Sequence, residues 1–235
     1  MNNITILVTI FLGQPPDETN SGLTNSDTRY KASVDSLILL KSVIKSNYPM
    51  YVALTGDENY ANMFIKELNL SKNKSHYFYQ NDTLSYLGKG MLEHLLLTNA
   101  IKHWSFHLND ITIFKITGKY FIENIESCLK YISKIKTDAV AWKMLSGPVV
   151  DTRAFAFKAS AYLNAHHIFD KIDYRTYYIM EHAVFTWISL IKGKTPYLIN
   201  RPLVKGLSGH FGTYYRHNFL RRTLVYFISF FNIPI

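Results

Sequence analysis

Cysteine, acidic side chains and long apolar runs are all scarce in this sequence of 235 residues. The single cysteine, Cys128, excludes an intramolecular disulfide framework and a cysteine-rich zinc site, and it is consistent with a reducing compartment. No stretch reaches the roughly 18 apolar residues of a membrane span. The first basic residue is Arg29, so the apolar N-terminal segment lacks the positive region of a secretory signal. We therefore expect a cytoplasmic protein.

The shortage of acidic residues leaves a strongly basic chain. Asp and Glu number 17 against 26 Lys and Arg, which gives a net charge of +9. Such a balance favours anionic partners, namely nucleotide phosphates, lipid head groups or nucleic acid. The basic residues are spread along the chain, and the usual aromatic RNA-binding signatures and zinc-finger spacings are missing. We therefore expect no nucleic acid partner.

Strand and helix patterns alternate along most of the chain. The run "ITILVTIFL" at residues 4–12 is continuously apolar and β-branched, as a strand buried on both faces would be. The helical pattern "RYKASVDSLILLKSVIKS" and the strand pattern "PMYVALTG" follow it. The alternation predicts an α/β domain with a mostly parallel central sheet flanked by helices. We assign this domain to residues 1–205 and a glycine-rich, basic and aromatic extension to residues 206–235.

Polar residues interrupt the pattern where predicted strands end, which is where parallel sheets bind ligands. A long polar loop follows Phe11, "TGD" follows the second strand, and "GKG" at residues 88–90 opens a helix. Backbone N–H groups at a helix start, together with the Lys89 ammonium, suit a phosphate. A Gly-x-Gly sequence is also common in simple turns, so a purely structural role is the alternative.

The stretch "DITIFKITGKYFI" at residues 110–122 predicts a central strand with two lysines near its end. Lys115 and Lys119 are four residues apart, so on an unbroken strand they would share one face. They either bind an anionic ligand there or are solvated charges that flank a bend.

Several segments together resemble a known family. These are "FKITGKYFIEN", "DTRAFAFKAS", "MEHAVF" and "GLSGHFGTYY", within an order of elements similar to that of GT-A glycosyltransferases. More closely, they are similar to bacterial transferases that build lipopolysaccharide and capsule glycans, whose central strand typically carries Lys-hydrophobic-Thr-Gly-Arg-Tyr. The resemblance covers roughly residues 4–215. Here Lys119 replaces the usual arginine, which keeps the charge but loses the bidentate geometry.

The resemblance implies a GT-A-like domain that binds a nucleotide-sugar donor. In most GT-A enzymes an Asp-x-Asp pair holds a divalent metal against the donor diphosphate, and this chain has no such pair at the corresponding place. We predict that Lys119 supplies the positive charge instead, so that no metal cofactor is required. A divalent metal such as Mn or Mg is the alternative. The residues predicted to bind the donor are Phe11, Thr55, Gly56, Asp57, Lys89, Lys115, Thr117, Gly118, Ser208 and His210.

A carboxylate is also expected, because transfer requires a base or a stabilising anion beside the reacting sugar. Glu181 lies in an otherwise apolar helical segment, where an unpaired charge would be costly to bury. We predict Glu181 as the catalytic base, and Asp151 as the second candidate for this carboxylate. Lys119, which supplies positive charge to the leaving diphosphate, is the other predicted catalytic residue. The other interpretation of Glu181 is one half of an ion pair.

The sequence thus predicts a glycosyltransferase that acts on a growing lipopolysaccharide or capsule glycan. The alternatives are another nucleotide-dependent transferase, such as a nucleotidyltransferase, and a non-catalytic basic module that binds a membrane or nucleic acid. The tail "YYRHNFLRRTLVYFISFFNIPI" combines arginines with apolar and aromatic residues. It either lies on the anionic inner face of the cell membrane or completes the protein's own core.

Overall fold

The structure is a computed structural model. It describes residues 4–13, 26–44, 48–80, 87–144, 148–191, 200–207, 214–215, 223, 224 and 227. The strands are β1 Ile4–Leu12, β2 Met50–Gly56, β3 Ser75–Tyr77, β4 Thr112–Thr117, β5 Tyr120–Ile122, β6 Ala139–Val140, β7 Ala154–Lys158, β8 Val204–Leu207 and β9 Tyr214–Tyr215. The helices are α1 Ser26–Val43, α2 Glu58–Glu67, α3 Lys89–His103, α4 Ile125–Ile132, α5 Ala159–Asn164, α6 His166–Phe169 and α7 Met180–Leu190.

Six of these strands form a central sheet in the order β3-β2-β1-β4-β7-β6. β1 pairs in parallel with both β2 and β4, and β2 pairs in parallel with β3. β7 runs antiparallel to its neighbours β4 and β6, so it alone is reversed within this sheet. The predicted α/β class and mostly parallel central sheet are confirmed.

Helices cover both faces of the sheet, which explains why β1 is apolar at every position except Thr5 and Thr9. Ile6, Val8 and Ile10 on one face pack with buried residues of α1, α2 and α4. Leu7 on the other face packs with buried residues of α3, α5, α6 and α7. Because side chains alternate along a strand, a strand covered on both sides needs apolar residues at nearly every position.

The prediction of one strand across residues 110–122 is wrong, because the chain breaks at Gly118 and Lys119. β4 ends at Thr117, and β5 belongs to a second sheet of order β5-β8-β9. The backbone N–H of Gly118 donates to the carbonyl of Thr9 at 2.8 Å, which holds the turn against β1. Lys115 and Lys119 therefore do not share a strand face: Lys115 lies inside the protein and Lys119 lies in the turn.

The edge strand β6 is short and contains only Ala139 and Val140. The predicted domain boundary after residue 205 falls within β8, which pairs with β5. Most of the predicted extension, including Ser208 and His210, lies outside the described residues, so membrane contact through the tail stays a prediction. Among the described residues, no helix combines the length and apolarity needed to cross a membrane.

The turn after β4 predicts a specific steric coupling between Gly118 and Ile10. A Cβ at position 118 would lie 2.3 Å from Cγ1 of Ile10. Gly118→Ala should therefore destabilise the fold by about 1–3 kcal/mol through overpacking. In urea denaturation, the double variant Gly118→Ala/Ile10→Ala should lose less free energy of unfolding than the two single variants together. The smaller side chain at position 10 leaves room for the new methyl group at position 118. Simple additivity would contradict the predicted contact.

Candidate active site at the carboxyl ends of β1 and β4

The strand order identifies the part of the sheet where a ligand is expected. From β1 the chain proceeds outward to β2 and β3, then returns to place β4 on the opposite side of β1. Connections that leave in opposite directions open a crevice between β1 and β4, at their carboxyl ends. In open α/β sheets this crevice is the usual ligand site.

A buried ammonium group lies at the base of this crevice. Lys115 of β4 is fully buried, and its Nζ donates to Thr117 Oγ1 at 2.8 Å and to the Thr152 carbonyl at 2.7 Å. It also forms an ion pair with Glu93 of α3. The three N–H groups of the ammonium are thereby all used. Lys115, predicted to bind the donor, is thus placed to hold neighbouring groups in position.

Glu93 is a functional candidate that the sequence reasoning missed. Besides Lys115, its Oε1 accepts hydrogen bonds from Thr9 Oγ1 at 3.3 Å and from Thr117 Oγ1 at 3.2 Å. The side chain is 22% exposed, so it reaches the edge of the crevice. The sequence does contain a signal, since Glu93 is a charge within the apolar segment "MLEHLLL". Glu181 was predicted from the same kind of signal, a charged residue within an apolar segment.

Glu181 occupies the first turn of α7 and faces the same cluster. Its Oε1 accepts a hydrogen bond from Thr152 Oγ1 at 2.9 Å. Burial raises the pKa of Glu181, and the charge of Glu93 raises it further against the opposing effects of Thr152 and Lys115. Because the Thr152 carbonyl also accepts from Lys115, Thr152 links Glu181 to the ammonium, which Glu93 contacts directly. A carboxylate with a raised pKa is a stronger base than one in water.

The upper part of the crevice is positively charged. The pKa of Lys119 is lowered to about 8, chiefly by burial and then by the nearby charges of Arg29, Lys89 and Lys115, against the opposing attraction of Glu93. Arg29 comes from α1, and its guanidinium lies 5.8 Å from the ring centre of the predicted donor-binding residue Phe11. Lys89 is the first residue of α3. Three elements thus bring cations together above the ends of β1 and β4.

The two glycines around Lys89 have separate packing roles. Gly88 has a φ of +86°, and an added Cβ would lie 2.8 Å from the Cβ of Tyr174. At Gly90 an added Cβ would lie 3.1 Å from the backbone nitrogen of Met180. The small residues therefore let α3 begin directly against the start of α7, which brings Lys89 and Glu181 to one region.

The predicted donor residues at the end of β2 have clear structural partners. Thr55 Oγ1 donates to the Phe78 carbonyl at 2.9 Å. Gly56 has a φ of +99°, and a Cβ there would lie 1.9 Å from the Leu12 carbonyl oxygen. Asp57 caps α2 by accepting from the backbone of Asn59 and Tyr60. Thr55 and Gly56 lie beside the carboxyl end of β1, on the side away from β4.

Asp151, the second predicted carboxylate, is held by two arginines. Its Oδ2 lies 2.6 Å from Arg153 Nη2 and 3.7 Å from Arg201 Nη2. Burial alone raises the pKa of Asp151, but hydrogen bonds and charge from the two arginines outweigh burial and lower it. A carboxylate stabilised in this way is a weak base, which favours Glu181 for proton transfer.

The carboxylates of the candidate site that the structure describes do not fit a divalent metal. Within the described residues, no group of three or more His, Cys, Asp or Glu side chains converges on one point. Glu93 is already paired with Lys115, whose charge would repel a metal ion beside it. We therefore derive no step through a metal.

The perturbed lysine gives a testable property of the free protein. We expect the Lys119 ammonium to lose its proton near pH 8, because burial and the neighbouring cations disfavour its charge. An unfolded lysine titrates near 10.4. The contribution of Lys119 to stability should therefore rise as the pH increases from about 8 to about 10.4. An NMR titration of the Lys119 side chain, identified with Lys119→Arg, checks this, and a midpoint at the unfolded value would contradict it.

No family model matches the chain, and no curated protein matches it. Solved structures give distant similarities. HddC from Yersinia pseudotuberculosis, complexed with GMP-PN, has a TM-score of 0.44 at 11% identity over 67% of this chain and 78% of that one. The 4-diphosphocytidyl-2C-methyl-D-erythritol synthase from Anaerococcus prevotii has a TM-score of 0.45 at 11% identity, over 98% and 96%. Mouse xyloside xylosyltransferase 1 in its apo form has a TM-score of 0.45 at 11% identity, over 80% and 82%.

Proposed function

We propose that this chain is a glycosyltransferase that moves a sugar from a nucleotide-sugar donor to an acceptor glycan. The observation that carries the proposal is a group of cations above a half-buried carboxylate of raised pKa, at the carboxyl ends of β1 and β4. Cations suit the diphosphate of the donor, and the carboxylate suits the acceptor hydroxyl. The motifs "FKITGKYFIEN" and "MEHAVF" favour a lipopolysaccharide or capsule glycan as the acceptor.

The donor diphosphate binds to Lys119, Lys89 and Arg29. Each comes from a different element, so their positions are fixed by the fold before a ligand arrives. Burial and, after it, mutual repulsion lower the pKa of Lys119, and the repulsion is relieved when an anion enters among the three cations. Preorganised charges of this kind stabilise a leaving diphosphate as negative charge develops on it.

Glu181 accepts the proton of the acceptor. The acceptor hydroxyl oxygen bonds to the anomeric carbon while the bond from that carbon to the diphosphate oxygen breaks. The diphosphate leaves with the bonding electron pair, and the hydroxyl proton passes to Glu181. The hydrogen bond from Thr152 orients the Glu181 carboxylate for this transfer.

Lys115 and Glu93 act as positioning residues in this proposal. The Lys115 ammonium fixes Thr152 through the carbonyl of that residue, and Thr152 in turn holds Glu181. Glu93 balances the Lys115 charge. Loss of either partner would leave the other buried and unpaired, a costly state that would disturb the base.

The function is tested by a panel of UDP-, GDP- and CMP-sugars in excess chelator. We expect one nucleoside diphosphate or monophosphate to raise the melting temperature, because it binds only the folded state. We also expect transfer or slow hydrolysis of the matching nucleotide sugar without added metal. Loss of activity in chelator that manganese restores would contradict metal independence. Pyrophosphate release from a nucleoside triphosphate and a sugar phosphate would instead identify a nucleotidyltransferase.

Glu181→Gln should lower the turnover number by about a hundredfold or more, because the side chain keeps its shape and loses its basicity. Nucleotide affinity, measured by calorimetry, should change little. Glu126→Gln is a matched control, since Glu126 is also half-buried in the first turn of a helix, on the other face of the sheet. Near-normal turnover of Glu181→Gln would contradict a catalytic role and indicate that Glu181 has a structural one.

A further inference from the structure

Two exposed tyrosines lie on the short turn that leads into α7. Tyr177 is 79% exposed and Tyr174 is 40% exposed, and their ring centres are 6.4 Å apart. A single 3-10 turn, Tyr174–Thr176, begins at the first tyrosine and ends just before the second. Large aromatic surfaces left in solvent at a fixed place often mark a binding site.

The turn is tightly held by its own hydrogen bonds. Asp173 and Tyr178 form an isolated antiparallel bridge that closes it. The Asp173 carboxylate accepts from the Arg175 backbone at 2.9 Å and pairs with the Arg175 guanidinium at 2.6 Å. Thr176 Oγ1 donates to the Asp173 carbonyl at 3.0 Å. The tyrosines therefore stand on a defined backbone, so little ordering is needed when a ligand binds.

Tyr177 adopts a left-handed backbone conformation, with φ of +59°. This conformation is unfavourable for a residue other than glycine and persists only where the surroundings maintain it. Here it presents an aromatic ring to solvent, where that ring gains little from packing within the protein.

The turn adjoins the proposed catalytic groups on two sides. Tyr174 packs against Gly88, the residue before Lys89. In the other direction the chain passes through Ile179 into the first turn of α7, which carries Glu181. The aromatic surface therefore lies on the same side of the site as the proposed base, next to the cations but distinct from them.

We propose that Tyr174 and Tyr177 form a subsite for a sugar ring of the acceptor glycan, an inference that rests on the proposed function. One face of a pyranose ring presents C–H groups, which pack on the negative face of an aromatic ring, and tyrosine adds a hydroxyl for hydrogen bonding. Tyrosine also offers a large contact area at low conformational cost. The Arg175 charge beside the rings is neutralised by Asp173, so the subsite suits a sugar more than a phosphate.

Binding is tested without donor by saturation-transfer NMR. The probes are the methyl glycosides of glucose, galactose, mannose, rhamnose and N-acetylglucosamine, and disaccharides built from them. At least one probe should bind the wild-type chain, and Tyr177→Ala should weaken it about tenfold. Tyr177→Phe should retain most of the binding because the ring remains. Tyr79→Ala is the matched control, since Tyr79 is 75% exposed and lies outside this turn.

The outcomes separate the subsite from the transferase function. If no probe binds, or if Tyr177→Ala and Tyr174→Ala bind as well as wild type, the subsite is overturned even where transfer is observed. If binding depends on the tyrosines but no nucleotide sugar is used, the carbohydrate site stands and the proposed function fails. If both hold, Tyr177→Ala should raise the acceptor KM about tenfold and leave donor hydrolysis unchanged.

Discussion

The burial of the Lys115 ammonium constrains the arrangement of the segments at the carboxyl ends of β1 and β4. A charge removed from water is tolerated only when every donor finds a partner. Lys115 finds its partners on Thr117, Thr152 and Glu93, which come from β4, the segment before β7, and α3. These segments must therefore meet at one place, at the carboxyl ends of β1 and β4. The same requirement fixes Thr152, and through it Glu181.

The crevice is positively charged partly because Glu93, a nearby carboxylate, is paired with Lys115. Glu93 contacts Lys115, and its attraction for Lys119 is outweighed by burial and by the charges of Arg29 and Lys89. Holding Lys119 charged in this setting costs roughly 3 kcal/mol at neutral pH, by the size of the pKa change. A bound diphosphate would offset that cost. The free protein is thus less stable than it could be at the place where we propose that the ligand binds, which is a common feature of functional sites.

Much of the fold was predictable because local patterns and burial agree. β1, α1, β2, α2, α3 and α7 follow from apolar periodicity, and the parallel core follows from their alternation. The sequence left a bend near Gly118 open as an alternative, but it could not decide for it, because the break depends on a backbone contact with Thr9 and on the space beside Ile10. In the candidate site, Glu181 was predicted from an isolated charge in an apolar segment and Lys119 from the motif "KITGKY", and the roles of both stay predictions. Glu93 carried the same signal and was missed, since only the tertiary structure shows its pairing with Lys115. Of the two arginines that hold Asp151, Arg153 is two residues away, but Arg201 is distant along the chain and its contact cannot be inferred from the sequence.

The central claim is that the cations above β1 and β4 bind the diphosphate of a nucleotide. A crystal structure of the chain with the nucleoside diphosphate that stabilises it most strongly would test this directly. Our account predicts the diphosphate within hydrogen-bonding distance of the Lys119 ammonium, with the nucleoside over the ends of β1 and β2 and with Glu181 facing the open side of the phosphate. A nucleotide bound at the amino ends of the parallel strands, away from Lys119, would contradict the claim.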